Sequence, residues 1–285
     1  MNGREEMIRV GDNLELYSHL YESGKDHWLI CVHGVGEHCD RHQYIIDLLM
    51  DRYNICLFDL RGHGRSEGRR TYIKEFRYFY SDLYDVIKHL QKNYKMDKFS
   101  LFGHSMGALI VSGFTKFYAT ESCYPQKVAI NAPPVSVGGP AAPIVKKTSK
   151  SVVNFLCDLP FTIRLGGIVD LDYLSHDPMI KRDYLADELV HKKPHSHLLL
   201  ELVKASKYVF NGPLNFDCPV GCSVGSEDAI VDFPAVKRFF EKVETQANFK
   251  IIQGAYHETH FEIEKYRRPY FDWLRDYLQI ENNQA

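Results

Sequence analysis

The sequence predicts an α/β fold in which helices cover both faces of a doubly wound, mostly parallel sheet. Three short runs of near-continuous apolar character, at 28–32, 54–58 and 99–102, are typical of strands buried on both faces. A helical pattern with apolar residues at i, i+3, i+4 and i+7 spacing lies between the second and third runs. This alternation favours parallel strands joined by right-handed helical crossovers.

The same alternation accounts for most of the remaining chain. At the N-terminus, apolar runs on either side of Gly11-Asp12-Asn13 predict an antiparallel pair of strands. Further along, the patterns predict a helix from Ser105 to about Tyr118, strands at 128–130, 220–224 and 249–252, and a helix after each of the last two strands.

A long central segment interrupts this alternation with helical stretches and loops. We therefore predict a core domain formed by residues 1–133 and 217–285 and an inserted helical cap formed by residues 134–216. One stretch of the cap carries apolar residues at helical spacing after a lysine cluster: Val152, Phe155, Leu156 and Leu159 after Lys146, Lys147 and Lys150. This apolar face suits contact with a lipid surface, and it suits packing on the core equally well.

Composition excludes several classes of function. The chain is 45% hydrophobic and 25% charged with a net charge of -2, which gives no reason to expect a nucleic-acid partner. No apolar run approaches the roughly 18 residues of a membrane span, and the first ten residues lack the apolar core of a signal peptide. The seven cysteines predict buried free thiols and a cytoplasmic location. Cys218 and Cys222 have no second pair nearby, so no metal site is expected.

The segment Gly103-His104-Ser105-Met106-Gly107 follows one predicted strand and opens one predicted helix. In this context G-x-S-x-G predicts a sharp turn that exposes the serine hydroxyl and requires small residues two positions away on either side. The N-terminus of the following helix directs backbone amides at developing negative charge. Ser105 is therefore the predicted nucleophile.

A serine nucleophile needs a base, and the base needs an orienting acid. In this type of fold they follow the serine in the order acid, then histidine. Asp228, directly after the strand that resumes the alternation, is the predicted acid, with Glu227 and Asp232 as less favoured alternatives. His257, directly after the last strand, is the predicted base and is preferred over His260.

The loop after the first long buried strand, His33-Gly34-Val35-Gly36-Glu37-His38, lies where such sites recruit one oxyanion donor. We predict that the backbone amides of Val35 and Met106 hold the oxyanion. A dinucleotide-binding loop would need glycine where Cys39 stands, so that interpretation fails. Acyl transfer at this kind of site needs no metal or organic cofactor.

A second polar turn, Asp59-Leu60-Arg61-Gly62-His63-Gly64-Arg65-Ser66, follows the next parallel strand. Its glycines permit a tight turn. Asp59 or Arg61 is expected to hold neighbouring loops in place. We therefore predict a structural role for this turn despite its many polar residues.

Together these segments resemble the monoacylglycerol lipase and lysophospholipase branch of the α/β-hydrolases. The H-G-x-G-E-H loop at 33–38 and G-A-Y-H at 254–257, with a second histidine three residues on, are more specific to that branch than the serine turn alone. Within the insertion, Ser175-His176-Asp177-Pro178 resembles a motif of the family's cap. The resemblance extends from about residue 14 to residue 278.

This resemblance implies an α/β-hydrolase fold and a serine ester hydrolase that cleaves small-headed lipid esters, either monoacylglycerols or lysophospholipids, through an acyl-enzyme on Ser105. It also implies a mobile cap that shapes an acyl-chain tunnel and is able to rest on membranes. The family's polar head-group pocket carries over to Glu37, Arg41 and His260. The same three catalytic residues would serve a carboxylesterase or thioesterase with a non-lipid substrate, and a non-catalytic ligand-binding homologue is a less favoured alternative.

Overall fold

Eight strands form one central sheet in a computed structural model that describes residues 3–138, 147–159, 161–167 and 170–280. In chain order the strands are β1 (Arg4–Arg9), β2 (Glu15–Tyr21), β3 (His27–Val32), β4 (Asn54–Phe58), β5 (Lys98–His104), β6 (Val128–Asn131), β7 (Val220–Gly225) and β8 (Asn248–Ile252). Their order across the sheet is β1-β2-β4-β3-β5-β6-β7-β8. β2 pairs antiparallel with both β1 and β4, and the other neighbouring strands are parallel.

Helices cover both faces of this sheet. In chain order they are α1 (Tyr44–Leu49), α2 (Arg77–Asn93), α3 (Met106–Phe117), α4 (Lys150–Cys157), α5 (Pro178–Ala186), α6 (Ser196–Val209), α7 (Phe233–Lys242) and α8 (Glu264–Tyr277). Short 3-10 turns cover Gly11–Asn13, Cys39–His42, Glu121–Cys123 and Leu171–Tyr173.

The central strand β3 shows how the two faces are filled. Trp28, Ile30 and Val32 belong to a core cluster with residues of α2, α3, α6 and α7. Leu29 and Cys31, which alternate with them, belong to a second cluster with residues of α1 and α8. Because successive side chains of a strand point to opposite faces, a strand buried on both faces has an unbroken apolar sequence. The predicted doubly wound, mostly parallel sheet is confirmed.

The N-terminal edge of the sheet is longer than its apolar pattern indicates. β1 begins at Arg4, four residues before the predicted start at Ile8, and its register pairs Arg4 with Leu20. Most of the added residues are exposed. An edge strand can be held by main-chain hydrogen bonds while its side chains remain charged and solvated, so it leaves no apolar run in the sequence.

The predicted insertion contributes no strand to the sheet within its described residues, because β6 and β7 on either side of it pair directly with each other. Its last helix, α6, packs on the core: Leu198 and Val209 belong to the same cluster as the sheet. The Ser206 hydroxyl also donates a hydrogen bond to the Pro134 carbonyl at 2.6 Å. The division into core domain and cap stays a prediction.

The apolar residues of α4 do not share one buried face. Val153 and Cys157 are buried, whereas the side chains of Val152 and Phe155 are 48% and 65% exposed. One of the two expectations for this stretch is that its apolar residues pack on the core. That expectation is wrong for Val152 and Phe155. Lys146, in the preceding lysine cluster, lies outside the described residues.

The polar turn after β4 holds neighbouring segments, as predicted. Asp59 accepts hydrogen bonds from the N–H groups of Cys39 and Arg65, both at 2.7 Å. Arg61 forms an ion pair with the buried Asp82 of α2. These contacts fix the loop that follows β3 against the sheet, and this loop carries part of the candidate site.

All seven cysteines lie within the described residues and are free; six are buried and Cys218 is partly exposed. Among the described residues we find no group of three or more histidine, cysteine, aspartate or glutamate side chains placed to hold a metal ion. No helix in the described ranges is both long enough and apolar enough to cross a membrane.

Candidate active site

Ser105 occupies a sharp turn between β5 and α3. Its backbone has φ 53° and ψ -117°, a conformation that non-glycine residues rarely adopt and that stores strain. A side chain at Gly103 would collide with the Gly107 carbonyl, and one at Gly107 would collide with the Val32 carbonyl. The two flanking glycines are therefore required for this turn, as the sequence predicts.

Three predicted side chains form a hydrogen-bonded chain at this turn. His257 Nε2 lies 3.1 Å from Ser105 Oγ, and His257 Nδ1 lies 2.7 Å from Asp228 Oδ2. The other oxygen of Asp228 accepts hydrogen bonds from the N–H groups of Ile230 at 2.9 Å and Val231 at 3.0 Å. With its Nδ1–H donated to Asp228, a neutral His257 presents an unprotonated Nε2 to the serine hydroxyl.

The electrostatics distinguish two histidines beside the serine. Burial acts to lower the pKa of His257, but the nearby carboxylates, Asp228 foremost and then Glu258 and Glu37, together outweigh it and raise that pKa above its ordinary value. Burial lowers the pKa of His104 to about 3. Neutral His104 donates through Nδ1 to the Asn131 side-chain oxygen at 2.7 Å. Of these two imidazoles, only His257 is placed and tuned to accept a proton from Ser105.

The alternative acids and base lie elsewhere. Glu227 is exposed, and Asp232 is buried and caps α7 by accepting a hydrogen bond from the Ala235 N–H. His260 stacks on Tyr44 with 5.0 Å between ring centroids, and neither of its ring nitrogens has a hydrogen-bond partner among the described residues. The structure brings the predicted acid and base to the serine and none of the three alternatives.

The two predicted oxyanion residues adjoin Ser105. Met106 is the first residue of α3, so its N–H is one of the helix's N-terminal donors without an intrahelical partner. Val35 borders the same small cavity as Ser105. The preceding Gly34 donates its N–H to the Glu37 carboxylate, which holds the loop in a tight curve. The role of the Val35 and Met106 amides stays a prediction.

The predicted head-group residues have different environments. Glu37 borders the cavity beside Ser105, but Arg41 and His260 are not among its described lining residues. The Arg41 side chain is 8% exposed and is held between two carboxylates: its Nε lies 3.2 Å from Glu37, and its Nη2 lies 2.8 and 2.7 Å from the two oxygens of Glu258. Their contact with a head group stays a prediction.

Glu258 is a candidate residue that the sequence patterns do not indicate. Its carboxylate is buried, borders the cavity beside Ser105 and pairs with Arg41. In the sequence, only its position directly after the predicted base His257 indicates that Glu258 lies near the site. Because its partner lies 217 positions earlier in the chain, no local pattern could reveal the pair.

A second, larger cavity adjoins the first and shares Val35 and Tyr184 with it. It has a volume of about 360 Å³ and is bordered by segments of the predicted cap, including Leu171, Leu185 and Pro194. This volume is within the range of small-molecule sites.

The cap motif that begins at Ser175 lies against the loop that carries His257. The Ser175 hydroxyl donates to the Phe261 carbonyl at 2.8 Å, and the His257 N–H donates to the Tyr173 carbonyl at 3.1 Å. The inserted segment therefore helps to hold the loop of the predicted base.

Comparison with known proteins identifies the family. Residues 24–264 match the family Hydrolase_4, whose description is "Serine aminopeptidase, S33". The chain belongs to this hydrolase family. It is similar to the monoglyceride lipase of Rattus norvegicus, with 31% identity over 247 residues that cover 85% of this chain and 78% of the rat protein.

Solved structures agree with this assignment. The chain is similar to the crystal structure of Paleococcus ferrophilus monoacylglycerol lipase, with 25% identity, a TM-score of 0.78, and coverage of 92% of this chain and 99% of that chain. A soluble variant of the monoglyceride lipase from Saccharomyces cerevisiae, solved with a substrate analog, has 18% identity and a TM-score of 0.80 over 98% of this chain and 96% of its own, which shows a shared fold. The predicted α/β-hydrolase fold and the resemblance to monoacylglycerol lipases are confirmed.

Proposed function

We propose that this member of the family is a serine hydrolase that cleaves carboxylic esters of small-headed lipids, with monoacylglycerols as the favoured class. The observation that carries this proposal is the chain of hydrogen bonds from Asp228 through His257 to Ser105, at 2.7 and 3.1 Å. The similarity to monoglyceride lipases over most of the chain supports the choice of substrate class.

The proposal gives the residues of the site a role in each step of such a hydrolysis. Ser105 Oγ attacks the ester carbonyl while His257 Nε2 takes its proton, and Asp228 stabilises the resulting imidazolium. The backbone amides of Val35 and Met106 bind the developing oxyanion. His257 then gives its proton to the leaving alcohol, and a water molecule, activated by the same histidine, releases the fatty acid from the acyl-enzyme.

We also propose that residues 134–216 form a cap over the site and that the acyl chain occupies the cavity of about 360 Å³ beneath it. This cavity shares Val35 and Tyr184 with the cavity around Ser105, so a chain attached to the reacting carbonyl has a short route into it. Three apolar side chains, Leu171, Leu185 and Pro194, contribute to its wall.

The exposed apolar residues of the cap support a further proposal, contact with a lipid surface. Phe155 is 65% exposed on α4, and Phe161 and Ile163 are 68% and 61% exposed just beyond it. Both segments are held at the start of α6: His197 bonds the Cys157 carbonyl, and Ser196 accepts the Ile163 N–H. Exposed apolar residues on a segment that also carries Lys147 and Lys150 suit a membrane surface. The free thiols support a reducing, cytoplasmic setting.

Assays with purified protein test the proposal. The substrates are a monoacylglycerol, a lysophospholipid, an acyl-CoA, a short p-nitrophenyl ester and an aminoacyl p-nitroanilide, the last because the family description names an aminopeptidase. We expect the monoacylglycerol to have the highest kcat/KM. Ser105→Ala should remove nearly all turnover and all labelling by a fluorophosphonate probe without changing the circular dichroism spectrum.

Three outcomes would contradict this proposal in different ways. Substantial esterase activity of Ser105→Ala would exclude Ser105 as the nucleophile. Activity on p-nitrophenyl esters or acyl-CoA with poor turnover of both lipids would leave a serine hydrolase of another substrate class. A wild-type protein that the probe fails to label would indicate a non-catalytic homologue.

A further inference from the structure

The loops that carry the predicted acid and base are joined to each other by three hydrogen bonds beside these two residues. The donor–acceptor pairs are the Ser226 N–H with the Ile252 carbonyl at 3.0 Å, the Glu227 N–H with the Ala255 carbonyl at 3.0 Å, and the Gly254 N–H with the Ser226 hydroxyl at 2.8 Å. Because two of these bonds join main-chain groups, the distance between acid and base does not depend on any one side chain.

The base is joined to the nucleophile side of the site much less firmly. Among the described residues, only two hydrogen bonds connect the segment 253–263 with β5, β6 or α3. One is the bond between His257 and Ser105 itself. In the other, Asn131 Nδ2 donates to Thr259 Oγ1 at 3.0 Å. Both Asn131, at the end of β6, and Thr259, two positions after the base, are 0% exposed.

Asn131 is also bound directly to the turn of the nucleophile. Its main-chain carbonyl accepts the Ser105 N–H at 2.9 Å, and its side-chain oxygen accepts from His104 Nδ1 at 2.7 Å. Its amide nitrogen makes a second bond, to Ser223 Oγ on β7 at 2.9 Å. The oxygen and both hydrogens of this buried amide are therefore engaged, and a fully satisfied buried polar network rigidifies the groups that it joins.

We propose that Asn131 and Thr259 are positioning residues, whose hydrogen bond holds the loop of the base at the distance from the nucleophile turn that proton transfer needs. This proposal rests on the proposed function and deepens it. Neither residue is among the described lining residues of the cavity beside Ser105, so both act through the pair that they hold at 3.1 Å. A general base must lie within about 2.6–3.2 Å of the group whose proton it takes, which leaves little room for movement.

Two substitutions of Thr259 separate its hydroxyl from its bulk. Thr259→Val has nearly the shape of threonine but cannot accept the Asn131 N–H, whereas Thr259→Ser keeps the hydroxyl. We expect Thr259→Val to lower kcat/KM for p-nitrophenyl butyrate by at least about tenfold, since a misplacement of about 1 Å can cost about a hundredfold. Thr259→Ser should retain most of the wild-type activity. Wild-type activity in Thr259→Val, or an equal loss in both variants, would overturn the proposal.

The pH–rate profile shows which part of the hydrogen-bonded chain is affected. Its acid limb reports the pKa of His257, which the carboxylates of Asp228, Glu258 and Glu37 raise. Thr259→Val changes none of these carboxylates and leaves the bonds between the acid and base loops in place. The plateau should therefore fall while the acid limb stays at its wild-type pH. A limb that moves to lower pH would show that Thr259 supports the acid instead, which would overturn the proposal.

Thr115→Val is the matched control for the loss of a buried hydroxyl. Thr115 is 4% exposed and donates to the Val111 carbonyl within α3 at 2.8 Å. Its replacement should lower stability to urea and leave kcat/KM per folded molecule at the wild-type value, with folding checked by circular dichroism in the assay buffer. An equal loss of activity in Thr115→Val and Thr259→Val would overturn the proposal. If Thr259→Val does not fold, Thr259→Ala replaces it, because alanine and serine differ only by the hydroxyl.

The wild-type measurements distinguish the failure of this proposal from failure of the proposed function. A wild-type enzyme that cleaves p-nitrophenyl butyrate no faster than Thr259→Val does would overturn the positioning role and leave the proposed function intact. A wild-type protein that neither cleaves this ester nor reacts with a fluorophosphonate probe would overturn the proposed function and the positioning role with it.

Discussion

Ser105 lies in a strained backbone conformation of a kind that costs about 1–3 kcal/mol, and its surroundings over-determine it. β5 and α3 fix the turn from both sides, and the glycines at 103 and 107 let the neighbouring backbone approach closely. The strain positions the hydroxyl 3.1 Å from His257 Nε2. At the scale of single residues, the strained turn lowers the stability of the fold and holds the serine hydroxyl where it needs no rearrangement before it attacks.

The first residue-scale prediction concerns Asp228→Asn. Burial acts to lower the pKa of His257, and the Asp228 carboxylate raises it above the ordinary value of 6.5. A protonated His257 cannot act as base, so wild-type kcat/KM should rise with pH through an acid limb above pH 6.5. Asp228→Asn removes the strongest influence that raises this pKa, so the acid limb should move to lower pH. The plateau should also fall by about 10⁴, because the imidazole loses the partner that fixes its tautomer.

The measurement is a pH–rate profile with p-nitrophenyl butyrate for the wild type, Asp228→Asn and the exposed control Glu227→Gln. The control should retain the wild-type profile. If the acid limb of Asp228→Asn stays at its wild-type pH, a group other than His257 sets the profile.

The sequence predicts that Ser105, Asp228 and His257 lie together, because each of them follows a parallel strand and the carboxyl ends of such strands meet at one edge of the sheet. The structure brings these three side chains within hydrogen-bond distance of one another. The surroundings of Arg41 are different. Its contacts with Glu37 and Glu258 depend on where three loops meet in space, and Glu258 is distant from it in sequence. Nothing local to either residue distinguishes a paired, buried side chain from a solvated one.

At the scale of elements, the sequence predicts that a helix exists but does not predict which of its sides faces the protein. The apolar spacing in 152–159 correctly predicts a helix, and α4 covers most of it. Spacing alone does not show which side of a short helix faces the protein: Val153 is buried, while Val152 and Phe155 point outward. For β1 the sequence does not show the full extent of the strand. Main-chain pairing holds it in the sheet, but its charged, exposed side chains form no apolar pattern.

The turn between β4 and α2 supplies the element-scale prediction, through the buried pair of Arg61 and Asp82. Burial raises the pKa of Asp82 to about 6 although Arg61 opposes the shift. Arg61→Met leaves this carboxylate without its main counter-charge, which should cost about 3–5 kcal/mol of unfolding free energy at pH 7. Loss of Arg61 raises the folded-state pKa of Asp82 above its wild-type value of about 6, so as the pH falls the variant takes up this proton before the wild type and recovers stability. The deficit should therefore shrink between pH 7 and pH 5.

Urea denaturation of wild type and variant at both pH values measures this effect. Arg77→Met is the matched control, because Arg77 forms an exposed ion pair with Glu75 at the start of the same helix. Its unfolding free energy should stay close to that of the wild type at both pH values. A deficit of Arg61→Met that is equal at pH 7 and pH 5 would contradict the assignment to the buried carboxylate.

At the scale of the whole molecule, the carboxyl edge of the sheet brings together loops that are far apart in the chain. The loops after β3, β5, β7 and β8 supply Val35, Ser105, Asp228 and His257. The predicted cap contacts the His257 loop through Tyr173 and Ser175, and its described residues include exposed apolar side chains such as Phe155. We expect a substrate to pass from a lipid surface to the serine through this segment.

The whole-molecule prediction is that the exposed apolar residues of the insertion bind lipid. The double variant Phe155→Ser/Phe161→Ser removes two side chains that are 65% and 68% exposed and should fold normally. A phenylalanine that enters a bilayer surface removes apolar area from contact with water, which stabilises the bound state. The double variant lacks this contribution, so its binding to mixed vesicles of phosphatidylcholine and phosphatidylserine should be weaker by at least about tenfold. Because Lys147 is exposed, the wild type should bind vesicles that contain anionic phosphatidylserine more strongly than vesicles of phosphatidylcholine alone. Salt should weaken this binding.

Two readouts separate membrane binding from catalysis. Vesicle co-sedimentation and turnover of a monoacylglycerol embedded in vesicles should both fall in the double variant, while hydrolysis of soluble p-nitrophenyl butyrate should stay at the wild-type rate. Phe117→Ser is the control, because Phe117 is 56% exposed at the end of α3 and outside the insertion. Equal weakening by Phe117→Ser would indicate non-specific adsorption, and unchanged binding of the double variant would exclude this face as the contact with lipid.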